Sequence, residues 1–201
     1  RNTELTVQVA GGCLIATATY GSELSDEVQL LRNFRDNSIL KTSAGTNFMV
    51  VFNAWYYSFS PSVAQVIREQ PIVRMGVRLG LYPLIGILRI GEVTFFVLPA
   101  NSETSAVICG IVVSSLIGAV YLGAPLTGML VCSSRMQKRV NRVLLPAMVA
   151  LFAAQIVSAL IANLGPSAIP MTVATSTLVL ASLTASALLA SQAILRLTKH
   201  K

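Results

Sequence analysis

Residues 106–132 read AVICGIVVSSLIGAVYLGAPLTGMLVC, and this stretch decides the fold class. It contains no acidic and no basic residue. The hydrocarbon core of a bilayer is about 30 Å thick, and a helix needs ~20 predominantly apolar residues to cross it. The stretch is therefore predicted to be a transmembrane helix.

Three other stretches are candidate spans. Residues 169–195 are also free of charge, and residues 143–162 are nearly as good a candidate. Residues 77–98 contain Arg89 and Glu92, and a charge at mid-membrane costs about 3 kcal/mol. Residues three apart share a helix face, so Arg89 and Glu92 are predicted to form an intramembrane ion pair. The alternative is that residues 77–98 form a tilted or interfacial segment.

The composition supports a membrane protein. Of 201 residues, 54% are hydrophobic and only 11% are charged, whereas soluble domains carry about 25% charged residues. This composition excludes a disordered chain, and three cysteines are too few for a secreted disulfide scaffold. The net charge of +7 arises because the only acid after residue 92 is Glu103, while bases recur in clusters between apolar runs. That pattern is typical of cytoplasmic membrane loops, so nucleic acid is not an expected partner; membrane lipids and other membrane protein subunits are.

The basic clusters also predict an orientation. Residues 133–142 contain four bases and no acid, and the tail carries Arg196, Lys199 and Lys201. By the positive-inside rule, both segments are predicted to be cytoplasmic. Four crossings would place the N-terminal half inside, and the N-terminal half would be outside if residues 77–98 do not cross.

Small residues recur every fourth position in the apolar stretches, which places them on one helix face. Such stripes let helix backbones approach closely in lipid, so these residues are predicted to be helix-packing positions. The pattern leaves open whether they close an internal bundle or meet another subunit. The positions are Ala106, Gly110, Ser114, Gly118, Ala150, Ala154, Ser158 and Ala162.

The N-terminal half has a different pattern, in which apolar and charged residues interleave. We predict two domains, a helical membrane-surface region at 1–76 and a transmembrane bundle at 77–201. Ser25 is predicted to cap a helix that ends near Lys41, with Gly45 beyond it as a stop. An aromatic helix at 47–59 suits the headgroup boundary, with an ordinary aromatic core as the alternative, and Pro61 and Pro71 are predicted to start further helices. The predicted fold is thus all-α, an integral membrane helical bundle of three or four transmembrane helices preceded by amphipathic, interfacial helices.

Several sequence blocks of the N-terminal half follow the pattern of a known domain family. The block CLIATATYGS at 13–22 is followed by EVQLLRNFRD at 27–36, by Leu40, Lys41, Thr42 and Gly45, and by YYSFSP at 56–61. Over about residues 11–85 this resembles the CFI-box C-terminal domain family, with Leu14 and Thr19 as mild departures from the family block. The resemblance implies a module at the C-terminal end of bacterial and archaeal envelope proteins, at the plasma membrane, after an exported region. It implies no known activity.

Cys13 is the one candidate modification site. It follows Val9, Ala10, Gly11 and Gly12, an arrangement loosely like a lipoprotein cleavage site, so processing or lipidation at Cys13 is one interpretation. The other is a free cysteine packed as a small apolar group.

Catalytic chemistry is not expected from this chain. Its one histidine, His200, lies next to the C-terminus, which leaves no catalytic, cofactor-binding or metal constellation. We predict a non-catalytic membrane anchor or scaffold module of a cell-envelope protein. The alternatives are an accessory structural subunit of a larger membrane enzyme or electron-transfer complex and, third, a small transporter.

Overall fold

The computed structural model describes residues 12–97, 102–132 and 168–199, together with single positions between 142 and 153. Every regular element in these segments is helical, which confirms the all-α prediction. The helices are α1 (Leu14–Tyr20), α2 (Asp26–Phe34), α3 (Ser43–Glu69), α4 (Pro71–Val97), α5 (Ser102–Ile117), α6 (Gly123–Cys132) and α7 (Ala168–Lys199). Two π-helical turns, Arg35–Ile39 and Gly118–Leu122, extend α2 and join α5 to α6.

Three helices are long and apolar enough to cross a membrane. These spans are Pro71–Val97, Glu103–Cys132 and Thr172–Leu197, and they correspond to three of the predicted stretches. The fourth predicted stretch, residues 143–162, lies outside the described residues. The chain is therefore a helical protein whose described part contains three candidate transmembrane helices.

The chain divides into two compact units, Arg1–Val107 and Ile108–Lys201. The predicted boundary between residues 76 and 77 falls within α4, and the assignment of 1–76 and 77–201 as domains stays a prediction.

The first unit is organised around α3 and α4, which are separated by one residue, Gln70. Helix α1 packs against both of them. The buried cluster at this junction contains Ala18, Ala64 and Ile67. Partly buried side chains of all three helices surround it, namely Leu14, Ile15, Val63, Val73 and Val77. Hydrophobic burial at the junction therefore holds α1 in place.

The predicted helix boundaries are correct in part. Ser25 precedes the first residue of α2, and Pro71 begins α4, where its missing N–H costs nothing. Pro61, however, lies inside α3 and does not start a helix. The helix continues through Pro61 because Tyr56 before it and Ile67 after it both contact α1.

Gly45 does not stop a helix either. It lies in the first turn of α3, where its N–H donates to the Thr42 side-chain oxygen at 3.1 Å. A Cβ at this position would collide with the carbonyl oxygen of Ile39. Gly45 is thus required by the close approach of the preceding π-helical turn.

The described part of the second unit is formed by α5 from Ile108 onward, by α6 and by α7. Helix α7 packs along the π-helical turn at Gly118–Leu122 and along α6. Leu130, Leu188 and Leu195 form its buried cluster, with Leu126 against it. In the described part of this unit, α7 therefore packs against the π-helical turn and α6, and a leucine cluster joins α6 to α7.

Candidate functional site

Two neighbouring tyrosines of α3 hold the segment that carries Cys13. The Tyr57 hydroxyl donates to the Gly12 carbonyl oxygen at 3.0 Å. The Ile15 N–H donates to the Tyr56 hydroxyl oxygen, also at 3.0 Å. The Ile15 N–H is one of the first amides of α1, which have no acceptor within the helix. Tyr56 and Tyr57 thus fix the start of α1, and Cys13 occupies its N-cap position.

The surroundings of Cys13 combine burial with positive charge. Burial raises the pKa of the thiol above its ordinary value, and the Arg35 and Arg32 guanidinium groups offset part of this rise. Arg35 forms a salt bridge to Asp36 at 2.7 Å, and Arg32 forms one to Glu23 at 3.0 Å. Because the thiolate is the nucleophile, a thiol with a raised pKa is a weak one at neutral pH. Processing or lipidation of Cys13 stays a prediction.

We expect alkylation of Cys13 to require a higher pH than alkylation of an unstructured peptide thiol. The raised pKa leaves less thiolate at any given pH, so the rate profile is displaced upward. The measurement is the iodoacetamide rate against pH for the Cys109→Ala/Cys132→Ser protein.

Arg35→Gln is the matched variant, because it removes the cation that lowers the thiol pKa while keeping a side chain of similar reach. Its profile should move to still higher pH. A Cys13 profile that coincides with the peptide's would contradict the buried environment of this thiol.

The predicted ion pair between Arg89 and Glu92 is not formed. Among the described residues, the salt bridges are those of Arg32 and Arg35, and neither involves α4. Glu92 lines a hollow together with residues of α2, namely Asp26, Gln29, Leu30 and Asn33. Arg89 is exposed. The packing of α2 on α4 brings polar residues of another helix to the hollow that Glu92 lines, which the i,i+3 spacing could not predict.

The predicted small-residue positions differ in their contacts. The Ser114 hydroxyl is hydrogen-bonded to the Ser182 hydroxyl of α7. A Cβ at Gly118 would collide with the Leu183 carbonyl oxygen and the Ser186 hydroxyl, so the two backbones approach closely there. Ala106 is buried, whereas a Cβ at Gly110 would meet no atom within 4 Å. Ala154, Ser158 and Ala162 lie outside the described residues, and Ala150 is an exposed single position.

The sequence does not predict the contact that Glu103 makes with the start of α3. The Glu103 carboxylate accepts hydrogen bonds from the backbone N–H groups of Ser43, at 2.5 Å, and Ala44, at 3.0 Å. These amides belong to the first turn of α3, where negative charge is favourable. The only available signal was that Glu103 is the sole acid after residue 92, and this does not identify a partner sixty positions away.

No three His, Cys, Asp or Glu side chains lie close enough to hold a metal ion within the described segments. No family model, curated protein or solved structure matches this chain. Function is therefore inferred from the helices and their exposed surfaces.

Proposed function

We propose that this chain is a non-catalytic integral membrane module that anchors or scaffolds a cell-envelope protein. The observation that carries the proposal is the low burial of the apolar helices. The most apolar windows of the three candidate spans are only 22%, 28% and 33% buried. Large apolar side chains point outward from each, including Leu79 at 65%, Val131 at 65% and Leu197 at 72% exposure. Lipid is the environment that accepts such surfaces.

The aromatic residues of α3 support a membrane-surface role for the N-terminal helices. Phe48, Phe52, Trp55, Tyr56 and Phe59 make ring contacts along the helix, with centroids 4.9–5.9 Å apart. Trp55, the only tryptophan in the chain, is 61% exposed. Tryptophan and tyrosine favour the headgroup region, where an apolar ring and a polar edge are both accommodated.

The resemblance to the CFI-box family supports a location at the C-terminal end of an envelope protein. The block at 13–22 includes α1, whose Ala18 contacts Ala64 and Ile67 of α3. In this proposal the resembling segment is a folded support for the exported part of such a protein, and the apolar helices retain it in the membrane. Catalysis has no place in this role.

The accessory-subunit alternative drew its support from the small-residue stripes. Two of those residues, Ser114 and Gly118, contact α7 of the same chain. Their close approach serves packing within one protein. The anchor role is therefore the one we carry forward.

The test is membrane retention of a soluble reporter fused ahead of Arg1 of the full chain. We expect the reporter to remain in the membrane pellet after alkaline carbonate washing and to be released by mild detergent. The control is the reporter alone, which should be soluble. Recovery of the fusion in the carbonate supernatant would overturn the anchor role. Co-purification with cofactor-bearing subunits in stoichiometric amounts would replace it with the accessory-subunit role.

A further inference from the structure

Helices α3 and α4 form a hairpin with contacts at both ends. Apolar side chains pack at one end, and hydrogen bonds to Glu103 form at the other. Each helix has 27 residues and is therefore about 40 Å long. At the Gln70 end, Ile67 of α3 lies in the cluster that Val73 and Val77 of α4 pack against. At the other end, the chain leaves α4 at Val97 and reaches Glu103, whose carboxylate binds the first turn of α3.

The contact between the Glu103 carboxylate and the start of α3 joins an anionic acceptor to free backbone donors. An α-helix begins with amides that lack acceptors within the helix, and its N-terminus carries partial positive charge. Glu103 supplies an anionic acceptor to Ser43 and Ala44, and the Thr42 side chain supplies one to Gly45. Three successive N–H groups at the start of α3 are thus satisfied. The start of α3 and the start of α5 therefore lie within hydrogen-bond distance of each other.

This contact has a consequence for topology. The helix from Glu103 to Cys132 has 30 residues and a mean hydropathy of 2.2 over its most apolar window. Glu103 is its only charged residue, so this helix is the strongest candidate for a crossing. Its two ends then lie on opposite faces of the membrane. A hydrogen bond of 2.5–3.0 Å cannot bridge a bilayer core of about 30 Å, so Ser43 must lie on the same face as Glu103.

We propose that the segment before α3 lies on the outer face of the membrane, together with Glu103 and opposite the basic residues 133–142. The four bases of 133–142 assign that segment to the cytoplasm. The assignment of the segment before α3 is the same whether or not α4 crosses. If α4 crosses, α3 must cross with it; if α3 stays on the membrane surface, as its aromatic residues favour, α4 stays there too. An arrangement in which α4 crosses and α3 does not would separate Ser43 from Glu103. The inference rests on the proposed membrane location.

The first test is accessibility in intact cells. Single cysteines are introduced as Lys41→Cys and, separately, Ser134→Cys in the full chain with Cys13, Cys109 and Cys132 replaced. We expect a membrane-impermeant maleimide to label Lys41→Cys in intact cells and Ser134→Cys only after permeabilisation. Labelling of both positions under the same condition would overturn the opposite-face assignment, and the reverse pattern would overturn the outer-face assignment.

The second test measures whether the start of α3 lies next to the start of α5. A short bis-maleimide should cross-link Ser43→Cys to Thr104→Cys within one chain in membranes, a pair that leaves the Glu103 carboxylate in place. The matched pair, Gln70→Cys with Thr104→Cys, should not cross-link, because Gln70 is a helix length away from Ser43. Equal cross-linking of the two pairs, or none in the first, would overturn the inference. Carbonate washing of the same membranes separates this failure from failure of the membrane location, since a chain retained in the pellet keeps the latter.

Discussion

Gly118→Leu is expected to weaken the contact between the π-helical turn and α7 more than substitution of any other glycine in the described part of the second unit. A Cβ at Gly118 already overlaps the Leu183 carbonyl oxygen, which belongs to a backbone and cannot rotate away. Overpacking of this kind costs about 1–3 kcal/mol, and sometimes more. For a chain of this size, that lowers the unfolding midpoint by roughly 2–12 °C. The measurement is thiol uncovering of Cys109, which is fully buried, during heating in mild detergent.

The matched control is Gly110→Leu on the same helix. A Cβ at Gly110 meets no atom within 4 Å, so the same side chain should be accommodated there. Both variants are measured in a background with Cys13→Ser and Cys132→Ser, so that only Cys109 reports. If Gly110→Leu and Gly118→Leu lower the midpoint equally, the close approach of α7 at Gly118 is wrong.

The candidate spans could be predicted because they depend on local composition. Lipid requires about twenty consecutive residues without charge, and this requirement leaves a direct pattern in residues 106–132 and 169–195. The helix start at Pro71 was also local, since it depends on the backbone chemistry of one residue. Ser25 precedes α2 as predicted, but its hydroxyl donates to the Ser22 carbonyl oxygen and does not cap the helix.

The remaining features depend on residues distant in sequence. Gly45 has the chemistry of a helix stop, yet it lies inside α3 because the carbonyl oxygen of Ile39 comes too close for a side chain. Pro61 has the chemistry of a helix start, yet contacts with α1 on both sides of it maintain one continuous helix. In both cases tertiary contacts outweigh a local preference of about 1–3 kcal/mol.

The candidate sites follow the same division. Cys13 could be singled out from its neighbours in sequence, but its environment is supplied by Tyr56, Tyr57 and Arg35 from other elements. The i,i+3 spacing of Arg89 and Glu92 predicted a pair, but Glu92 instead lines a hollow with residues of α2. Spacing along one helix determines which residues share a face, and it carries no information about the helix packed against that face.

Ile67→Ala is expected to cause the largest loss of stability in the first unit. Ile67 is fully buried in the cluster with Ala18 and Ala64, where α1, α3 and α4 meet. The two other buried members of that cluster are alanines, whose methyl groups are too small to fill the space that truncation leaves. Truncation of a buried isoleucine to alanine costs about 2–5 kcal/mol through lost transfer energy and the residual cavity. The measurement is the temperature at which the Cys13 thiol becomes reactive, because Cys13 precedes α1 and should be uncovered when α1 separates from α3.

Val66→Ala provides the comparison for Ile67→Ala, since it removes a branched apolar side chain from the adjacent position of α3. Val66 is 42% exposed, so its truncation leaves no enclosed cavity and should shift the midpoint little. Both variants are made with Cys109→Ala and Cys132→Ser, so that Cys13 alone reports. Because this cluster is the buried apolar contact of α1 with α3 and α4, Ile67→Ala should also raise Cys13 reactivity below the midpoint, where local opening dominates. Equal midpoints for Val66→Ala and Ile67→Ala would show that the cluster does not hold α1 in place.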